Sequence, residues 1–123
     1  MKTLLFDSDV VIDILRGKRE TMDQLFELMF GHSLVCSVIT VAEVYAGMFP
    51  REEVGTDAIL ESLTKIPVSE TIAKAAGKLR FEHPRLGMMD CLIAATALLR
   101  GAHLLTKNVK HYPMKGLQLI QIK

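Results

Sequence analysis

Three carboxylic acids lie at the end of an apolar segment, within an apolar helix or at the start of one. Asp7 follows the apolar segment 3–6, Glu43 lies within an apolar helical segment, and Asp90 opens the most apolar stretch of the chain. A carboxylate in apolar surroundings is costly unless it is paired or bound to a cation. Mg²⁺ or Mn²⁺, bound through oxygen ligands, would remove the repulsion among converging acids and could support phosphodiester hydrolysis by orienting water and neutralising charge.

Each acid also has a purely structural interpretation. Asp90 could be a helix N-terminal acid favoured by the macrodipole, and Asp7, Ser8 and Asp9 could form a helix cap. Asp9 and Asp13 are four positions apart and so share a helix face, for which we expect a solvated or an orienting role. Glu43 lies close to a stripe of apolar positions (41, 44, 45 and 48) that is expected to face the core.

Hydrophobic patterning places these acids on a regular series of elements. Strands are predicted at 3–6, 34–36, 66–68, 103–105 and 117–122, the last of them at a sheet edge. Helices are predicted after Asp7 up to Gly17, then at 21–30, from Thr40 to about 48, within 51–65, from an N-cap at Ser69 to about Phe81, and at 88–100, where the helix should be buried.

Strands that alternate with helices imply βαβ units, and therefore a central, mainly parallel sheet with helices on both faces. The fold class is α/β, a three-layer α/β/α sandwich, and we expect residues 1–123 to form one domain. Ligands in such folds bind beyond the carboxyl ends of the strands. Residues that close strands and open helices are therefore the candidates for the site.

Chain length, the cysteines and the net charge limit which classes of protein fit the sequence. The 123 residues suffice for one core, and the two cysteines, Cys36 and Cys91, lie in apolar runs without zinc-ligand spacing, so buried thiols are expected. No signal-peptide pattern or membrane-length apolar run is present, which favours a cytoplasmic protein. The net charge of +1 lacks the strong basic bias of many nucleic-acid-binding proteins, so positive charge would have to be clustered locally.

Four segments together carry a family resemblance that spans nearly the whole chain. They read LLFDSDVVIDILRG at 4–17, SVITVAE at 37–43, DCLIAATA at 90–97 and LTKN at 105–108. In this order and at these intervals they resemble the signature blocks of VapC-type PIN-domain toxins. Each block is weak alone, but the four in order are specific.

The resemblance implies a magnesium-dependent endoribonuclease, the toxin of a type II toxin–antitoxin pair, with Mn²⁺ able to substitute. Asp7, Glu43 and Asp90 would form its acidic core and bind the metal, with Asp7 and Asp90 as the primary ligands, and Asn108 would be the fourth candidate catalytic residue. The family often has a further acid after the Thr block, where this chain has Asn108, with His111 three residues later. That departure weakens the case for a second, tightly held metal.

Two hydroxyl residues, Ser8 and Thr106, would orient the acids or the phosphate, although local capping and turn bonding would explain them equally well. An RNA backbone could be held by basic residues in the later half of the chain: Arg80, Arg85, Lys107, Lys110, His111 and Lys115. The absence of Trp argues against recognition by extensive base stacking.

The resemblance also implies partners. Its members pair as homodimers and are silenced by a cognate antitoxin whose tail enters the acidic site. Exposed apolar residues on the helices at 21–30 and 51–65 are the candidate contact surfaces.

Two alternatives remain open from the sequence. The segment FDSDV at 6–10 also resembles the opening of haloacid-dehalogenase-type phosphatases, in which Asp7 would be a nucleophile and Lys107 the catalytic lysine, although Asp90 stands alone where that class has paired acids. A non-catalytic PIN-like module that binds RNA or a partner is the other alternative, consistent with Asn108 and the low net charge.

Overall fold

The computed structural model describes residues 1–123 as a five-stranded sheet between two layers of helices. The strands are β1 (Thr3–Phe6), β2 (Ser33–Ser37), β3 (Thr64–Ile66), β4 (His103–Thr106) and β5 (Gln118–Gln121). The helices are α1 (Ser8–Leu15), α2 (Arg19–Leu28), α3 (Val38–Gly47), α4 (Glu53–Glu61), α5 (Glu70–Glu82) and α6 (Met88–Arg100), with short 3₁₀ turns at Pro50–Glu52 and Val109–His111.

The sheet is parallel throughout, in the order β3-β2-β1-β4-β5. Leu5 in the central strand pairs with Val35 on one side and with Leu104 on the other. The chain builds the sheet outward from β1 through β2 to β3, and then returns to the other side of β1 to form β4 and β5. This confirms the expected α/β/α architecture and the edge position of the last strand.

Side chains along each strand point alternately to the two faces of the sheet, so the hydrophobic core has one part on each face. Leu5 and Leu104 pack with the apolar faces of α5 and α6, whereas Leu4, Phe6 and Leu105 pack with side chains from α1 to α4. Because successive strand residues point to opposite faces, a central strand with helices on both sides must be apolar at every position. The buried run Leu4, Leu5 and Phe6 meets this requirement.

Polar side chains set several helix starts. Ser37 caps α3 by accepting a hydrogen bond from the Ile39 amide, and Ser69 caps α5 by accepting one from the Ile72 amide. The cap on Ser37 starts α3 at Val38, two residues before the position predicted from Thr40. Gly101 ends α6 in the left-handed conformation, with a φ of 60°, which glycine adopts without strain.

Two elements begin and end at residues other than those predicted from the sequence. The third strand occupies Thr64–Ile66, so the prediction of a strand at 66–68 was displaced by two residues. Pro67 explains the shift, since it has no amide hydrogen for the sheet. In the segment 51–65, α4 covers only Glu53–Glu61, with a 3₁₀ turn before it.

The two cysteines and most of α6 lie in the core. Cys36 and Cys91 are free and buried, as predicted. The middle of α6 is buried from Ile93 to Ala97, although Met88, Met89 and Leu99 at its two ends are exposed. None of the helices combines the length and apolar character needed to cross a membrane.

Candidate active site

The fold brings the predicted acids together at the carboxyl end of the sheet. A polar pocket of about 300 Å³ is lined by Asp7, Ser8, Asp9, Glu43, Asp90, Asn108 and His111, with no hydrophobic residue in its wall. The pocket lies where the order of strands reverses, between β1 and β4, and ligands bind at this point in open parallel sheets.

Asp7 lies at the centre of the hydrogen-bond network and is 7% exposed. Its Oδ1 accepts a hydrogen bond from the Ser8 amide at 2.8 Å, so it caps α1. Its Oδ2 accepts one from the Thr106 hydroxyl at 2.8 Å and one from the Tyr112 hydroxyl at 2.9 Å. The structural and functional interpretations of Asp7 are therefore compatible, since one oxygen caps the helix while the carboxylate lines the pocket.

Ser8 connects α1 to α3. Its hydroxyl donates a hydrogen bond to Glu43 Oε1 at 2.5 Å and lies 3.4 Å from the Thr40 hydroxyl oxygen. Glu43 is half-buried and Thr40 is fully buried. Ser8 thus orients an acid, which is one of the two roles that the sequence left open for it.

Thr106, at the end of β4, also orients an acid through its hydroxyl. Besides donating to Asp7, its hydroxyl oxygen accepts a hydrogen bond from the Asn108 amide at 3.1 Å. Thr106 therefore fulfils both of its expected roles, orientation of an acid and local turn bonding. Asn108 is exposed, and its side-chain amide donates to Asp9 Oδ2 at 3.3 Å.

Asp90 enters the pocket from the first turn of α6. Its Oδ1 accepts a hydrogen bond from the Tyr112 hydroxyl at 3.4 Å, and its Oδ2 lies 3.5 Å from His111 Nδ1. Burial is the main cause that raises the pKa of Asp90, while His111 lowers it and the charge of Asp7 raises it further. This pattern is expected when two carboxyl groups share one pocket.

Tyr112 is a site residue that sequence reasoning missed. It is 2% exposed, and its hydroxyl bridges Asp7 and Asp90. Burial and the charges of the two acids raise the pKa of Tyr112, so the phenol stays protonated and acts as a donor. The only signal in the sequence is a tyrosine soon after a strand that ends in Thr106, because a buried tyrosine needs a partner for its hydroxyl.

Asp9 and Asp13 share a face of α1, as their spacing predicted, but they do not share an environment. Asp9 is half-buried in the pocket wall, and burial followed by the charge of Asp7 raises its pKa from 3.8 to about 6. Asp13 is 6% exposed, so the expectation of a solvated role was wrong for this residue.

The buried carboxylate of Asp13 is stabilised by three polar side chains. Its Oδ2 accepts hydrogen bonds from the Lys107 ammonium at 2.7 Å and the Thr21 hydroxyl at 2.7 Å, and Lys18 lies 3.7 Å from its Oδ1. Burial raises the pKa of Asp13, but the hydrogen bonds and positive charges together outweigh it, and the net effect lowers the pKa.

The predicted basic residues are dispersed around the site. Lys107 is paired with Asp13, so its ammonium is not free for a phosphate, and His111 lies beside Asp90. Arg85 lines a separate hollow of about 280 Å³ with Glu82, His83 and Pro113. Arg80 lies on α5, Lys110 on the 3₁₀ turn after Asn108, and Lys115 is exposed beyond it.

The oxygen donors of the pocket suit a divalent cation. All its acids offer carboxylate oxygens, which suit Mg²⁺ and Mn²⁺. No three His, Cys, Asp or Glu side chains are arranged to hold a metal ion by themselves. Mg²⁺ usually takes only one or two protein carboxylates and completes its octahedron with water and substrate oxygens. The pair Asp7 and Asp90 therefore fits this ion.

An apolar groove lies on the α1–α4 face of the sheet. It has a volume of about 260 Å³ and is lined by Phe6, Ile14, Met22, Leu25, Phe26, Met29, Ile59, Ser62 and Leu63. Met22 is 45% exposed and Phe26 is 67% exposed. The groove thus lies between two of the segments that the sequence singled out as contact surfaces, 21–30 and 51–65.

Comparison with known proteins agrees with this architecture. The PIN domain profile matches residues 4–116. Ribonuclease VapC10 of Mycobacterium tuberculosis is 39% identical over 115 residues, covering 90% of this chain and 86% of its own length. Ribonuclease VapC19 of the same organism is 35% identical, covering 89% of this chain and 92% of its own.

Solved structures show the same fold. A toxin–antitoxin complex from Klebsiella pneumoniae has a chain with a TM-score of 0.83 and 30% identity, and the match covers 98% of both chains. VapBC2 from Rickettsia felis, bound to a promoter DNA fragment, gives a TM-score of 0.87 at 22% identity over 98% of this chain and 99% of that one. The second comparison is evidence for the fold alone.

Proposed function

This chain belongs to the PIN domain family, and on that premise we propose that it is a divalent-metal-dependent ribonuclease acting as the toxin of a type II toxin–antitoxin pair. PIN-domain ribonucleases depend in general on divalent metal ions. The observation that carries the proposal is that Asp7, Glu43 and Asp90 line one pocket at the switch point of the sheet. We further propose that Mg²⁺ is the natural ion, that Mn²⁺ replaces it, and that residues 1–123 are a single PIN domain.

The roles of the acids follow from their bonding. Asp7 and Asp90 would hold the metal, which when bound supplies a polarised water and neutralises charge on the phosphate. Glu43 is held by Ser8 at 2.5 Å, which fixes its carboxylate at the pocket wall. Because Glu43 is half-buried and comes from a different helix, it is placed to accept a proton from an attacking water.

The remaining polar groups keep the acids in place. Thr106 and Tyr112 donate to the same oxygen of Asp7, which leaves Asp7 with a fixed orientation. Such preorganisation matters because hydrolysis requires a water and a phosphate to meet in a defined geometry. Asn108 acts through its amide on Asp9 rather than as an acid.

The antitoxin is the expected protein partner, in keeping with the complexes in which the structural neighbours were solved. We propose that an apolar segment of the antitoxin packs into the groove that includes Met22 and Phe26, while its tail reaches the acidic pocket. An exposed aromatic side chain in an apolar groove is typical of a protein-binding surface. A homodimer is a further proposal, which light scattering of the purified protein would test.

The phosphatase alternative loses support in the structure. Its catalytic lysine would be Lys107, whose ammonium binds Asp13 at 2.7 Å and is not part of the pocket wall. The match to the PIN domain over residues 4–116 also favours a nuclease. Hydrolysis of p-nitrophenyl phosphate without cleavage of RNA would reverse this preference.

The proposed function is tested with purified protein that has been freed of any co-purifying antitoxin. Labelled transfer and ribosomal RNAs are incubated with Mg²⁺ or Mn²⁺, with EDTA, and with the variants Asp90→Asn and Asp23→Asn. Asp23 is an exposed acid on α2 and serves as the matched control. We expect cleavage by the wild type and by Asp23→Asn only. RNA binding without cleavage at any metal concentration would instead favour the non-catalytic module.

A further inference from the structure

The hydroxyl of Tyr112 is the only group that donates hydrogen bonds to both proposed metal ligands, Asp7 and Asp90. It lies 2.9 Å from Asp7 Oδ2 and 3.4 Å from Asp90 Oδ1. The side chain is 2% exposed and belongs to the part of the core that also contains Leu5 and Leu104. Packing of the ring therefore holds the hydroxyl beside the two acids.

This hydroxyl has one hydrogen for two acceptors. A phenol carries a single donor, so Asp7 at the shorter distance is its main acceptor and Asp90 receives a weaker contact. Two ionised carboxylates in one pocket repel each other. The Tyr112 hydrogen is a partial positive charge that both acids contact, and so it does in part what a bound cation would do.

The acceptor positions of Asp7 are largely occupied. A carboxylate has about four such positions, two on each oxygen. The Ser8 amide uses one on Oδ1, and the hydroxyls of Thr106 and Tyr112 use both on Oδ2. A divalent cation needs the same lone pairs, and it also withdraws electron density from a carboxylate, which weakens the carboxylate as a hydrogen-bond acceptor. The cation and the Tyr112 hydroxyl are therefore competitors for these acids.

We propose that Tyr112 lowers the metal affinity of the pocket: its hydroxyl keeps Asp7 and Asp90 together in the metal-free protein and gives up hydrogen bonding to them when a divalent cation binds. This inference rests on the proposed function, because it assumes that the cation binds at these two acids. It makes Tyr112 a residue that sets the metal concentration at which the site is filled.

Tyr112→Phe removes the hydroxyl and keeps the buried ring. The affinity of the metal-free protein for Mn²⁺ is measured by isothermal titration calorimetry. We expect Tyr112→Phe to bind Mn²⁺ on the order of 10-fold more tightly than the wild type, because a hydrogen bond to a charged group no longer competes. The matched control is Tyr45→Phe, which removes the other tyrosine hydroxyl, a donor to Asp57 outside the pocket, and should leave the affinity unchanged.

The results distinguish this inference from the proposed function. If the wild type binds Mn²⁺ and cleaves RNA but Tyr112→Phe binds Mn²⁺ equally well or more weakly, the inference alone is wrong, and Tyr112 serves packing or orients the acids for the cation. If the wild type neither binds Mn²⁺ nor cleaves RNA, the proposed function itself fails.

A fluorescence measurement covers the case in which Tyr112→Phe does not fold. The chain has two tyrosines and no tryptophan, so the intrinsic emission of Tyr45→Phe comes from Tyr112 alone. A hydrogen bond to a carboxylate quenches tyrosine emission, and Mg²⁺ itself does not. We expect the emission of Tyr45→Phe to rise during a Mg²⁺ titration and to follow the calorimetric binding curve. Constant emission while Mg²⁺ saturates the protein would overturn the inference.

Discussion

The hydroxyl of Tyr112 donates to Asp7 Oδ2 at 2.9 Å and also to Asp90 Oδ1 at 3.4 Å, so one phenol links the acid that follows β1 with an acid in the first turn of α6. Two carboxylates in one pocket repel each other when both are ionised. Tyr112 reduces this cost in the metal-free protein by offering a shared donor from a fully buried position.

Removal of this donor should therefore destabilise mainly the metal-free protein. We expect Tyr112→Phe to lower the free energy of unfolding by about 1–3 kcal/mol in EDTA, since Asp7 loses one donor. The loss should be smaller in saturating Mg²⁺, because a bound cation then compensates the charge. Urea unfolding of both proteins in the two conditions measures this difference, and an equal loss in both would show that Tyr112 acts only in packing.

Asp90→Asn should lower the activity without lowering the stability of the metal-free protein. Without one of its two proposed metal ligands, the protein should lose RNA cleavage by roughly 100-fold or more. Its metal-free form should be at least as stable as the wild type at pH 7, because burial and the charge of Asp7 make ionised Asp90 unfavourable. Parallel cleavage and unfolding assays test both parts, and a strongly destabilised variant would contradict the second.

Asp13 should give a pH dependence to stability. Its pKa is lowered in the folded protein, so the stabilisation that it provides is present above its unfolded pKa of 3.8 and is lost as the pH falls through the folded pKa. Asp13→Asn should cost about 1.5–3 kcal/mol at pH 7 through the weakened hydrogen bond from Lys107. Urea unfolding at pH 7 and at a series of pH values below 3.8 should show the difference between the two proteins shrinking as the pH falls. A constant difference would indicate that the charge of Asp13 is unimportant.

A negative charge placed at Phe26, in the apolar groove, should weaken binding of the antitoxin. Phe26→Asp should weaken binding of the cognate antitoxin by at least about 10-fold, since burying an unpaired carboxylate in an apolar contact is costly. Stability should change little because Phe26 is 67% exposed. The control is Phe81→Asp, at an 88% exposed position on α5, across the sheet from the groove. Calorimetric titration with the antitoxin would refute the proposal if both variants bound alike.

Much of the fold could be predicted because it depends on local periodicity. Runs such as 3–6 and 103–105, alternating with amphipathic helices, allow few arrangements other than a parallel sheet covered on both faces. The strand at 64–66 was misplaced because its three residues carry a weak pattern, and only its pairing with β2 fixes the register. The strand ends before Pro67, which has no amide hydrogen to donate to the sheet.

The sequence by itself determined which acids meet, because Asp7 follows β1, Glu43 lies on the helix after β2 and Asp90 lies in the first turn of α6, and parallel topology gathers those positions at one edge. Only the tertiary structure decided how these acids are held. Tyr112 and Asp7 are 105 positions apart, and Lys107 and Asp13 are 94 apart. No local propensity encodes such pairs, because each hydrogen bond depends on angstrom-scale placement of side chains by the whole packed core. For the same reason, the four-residue spacing of Asp9 and Asp13 places them on one face of α1 but does not predict that their environments differ.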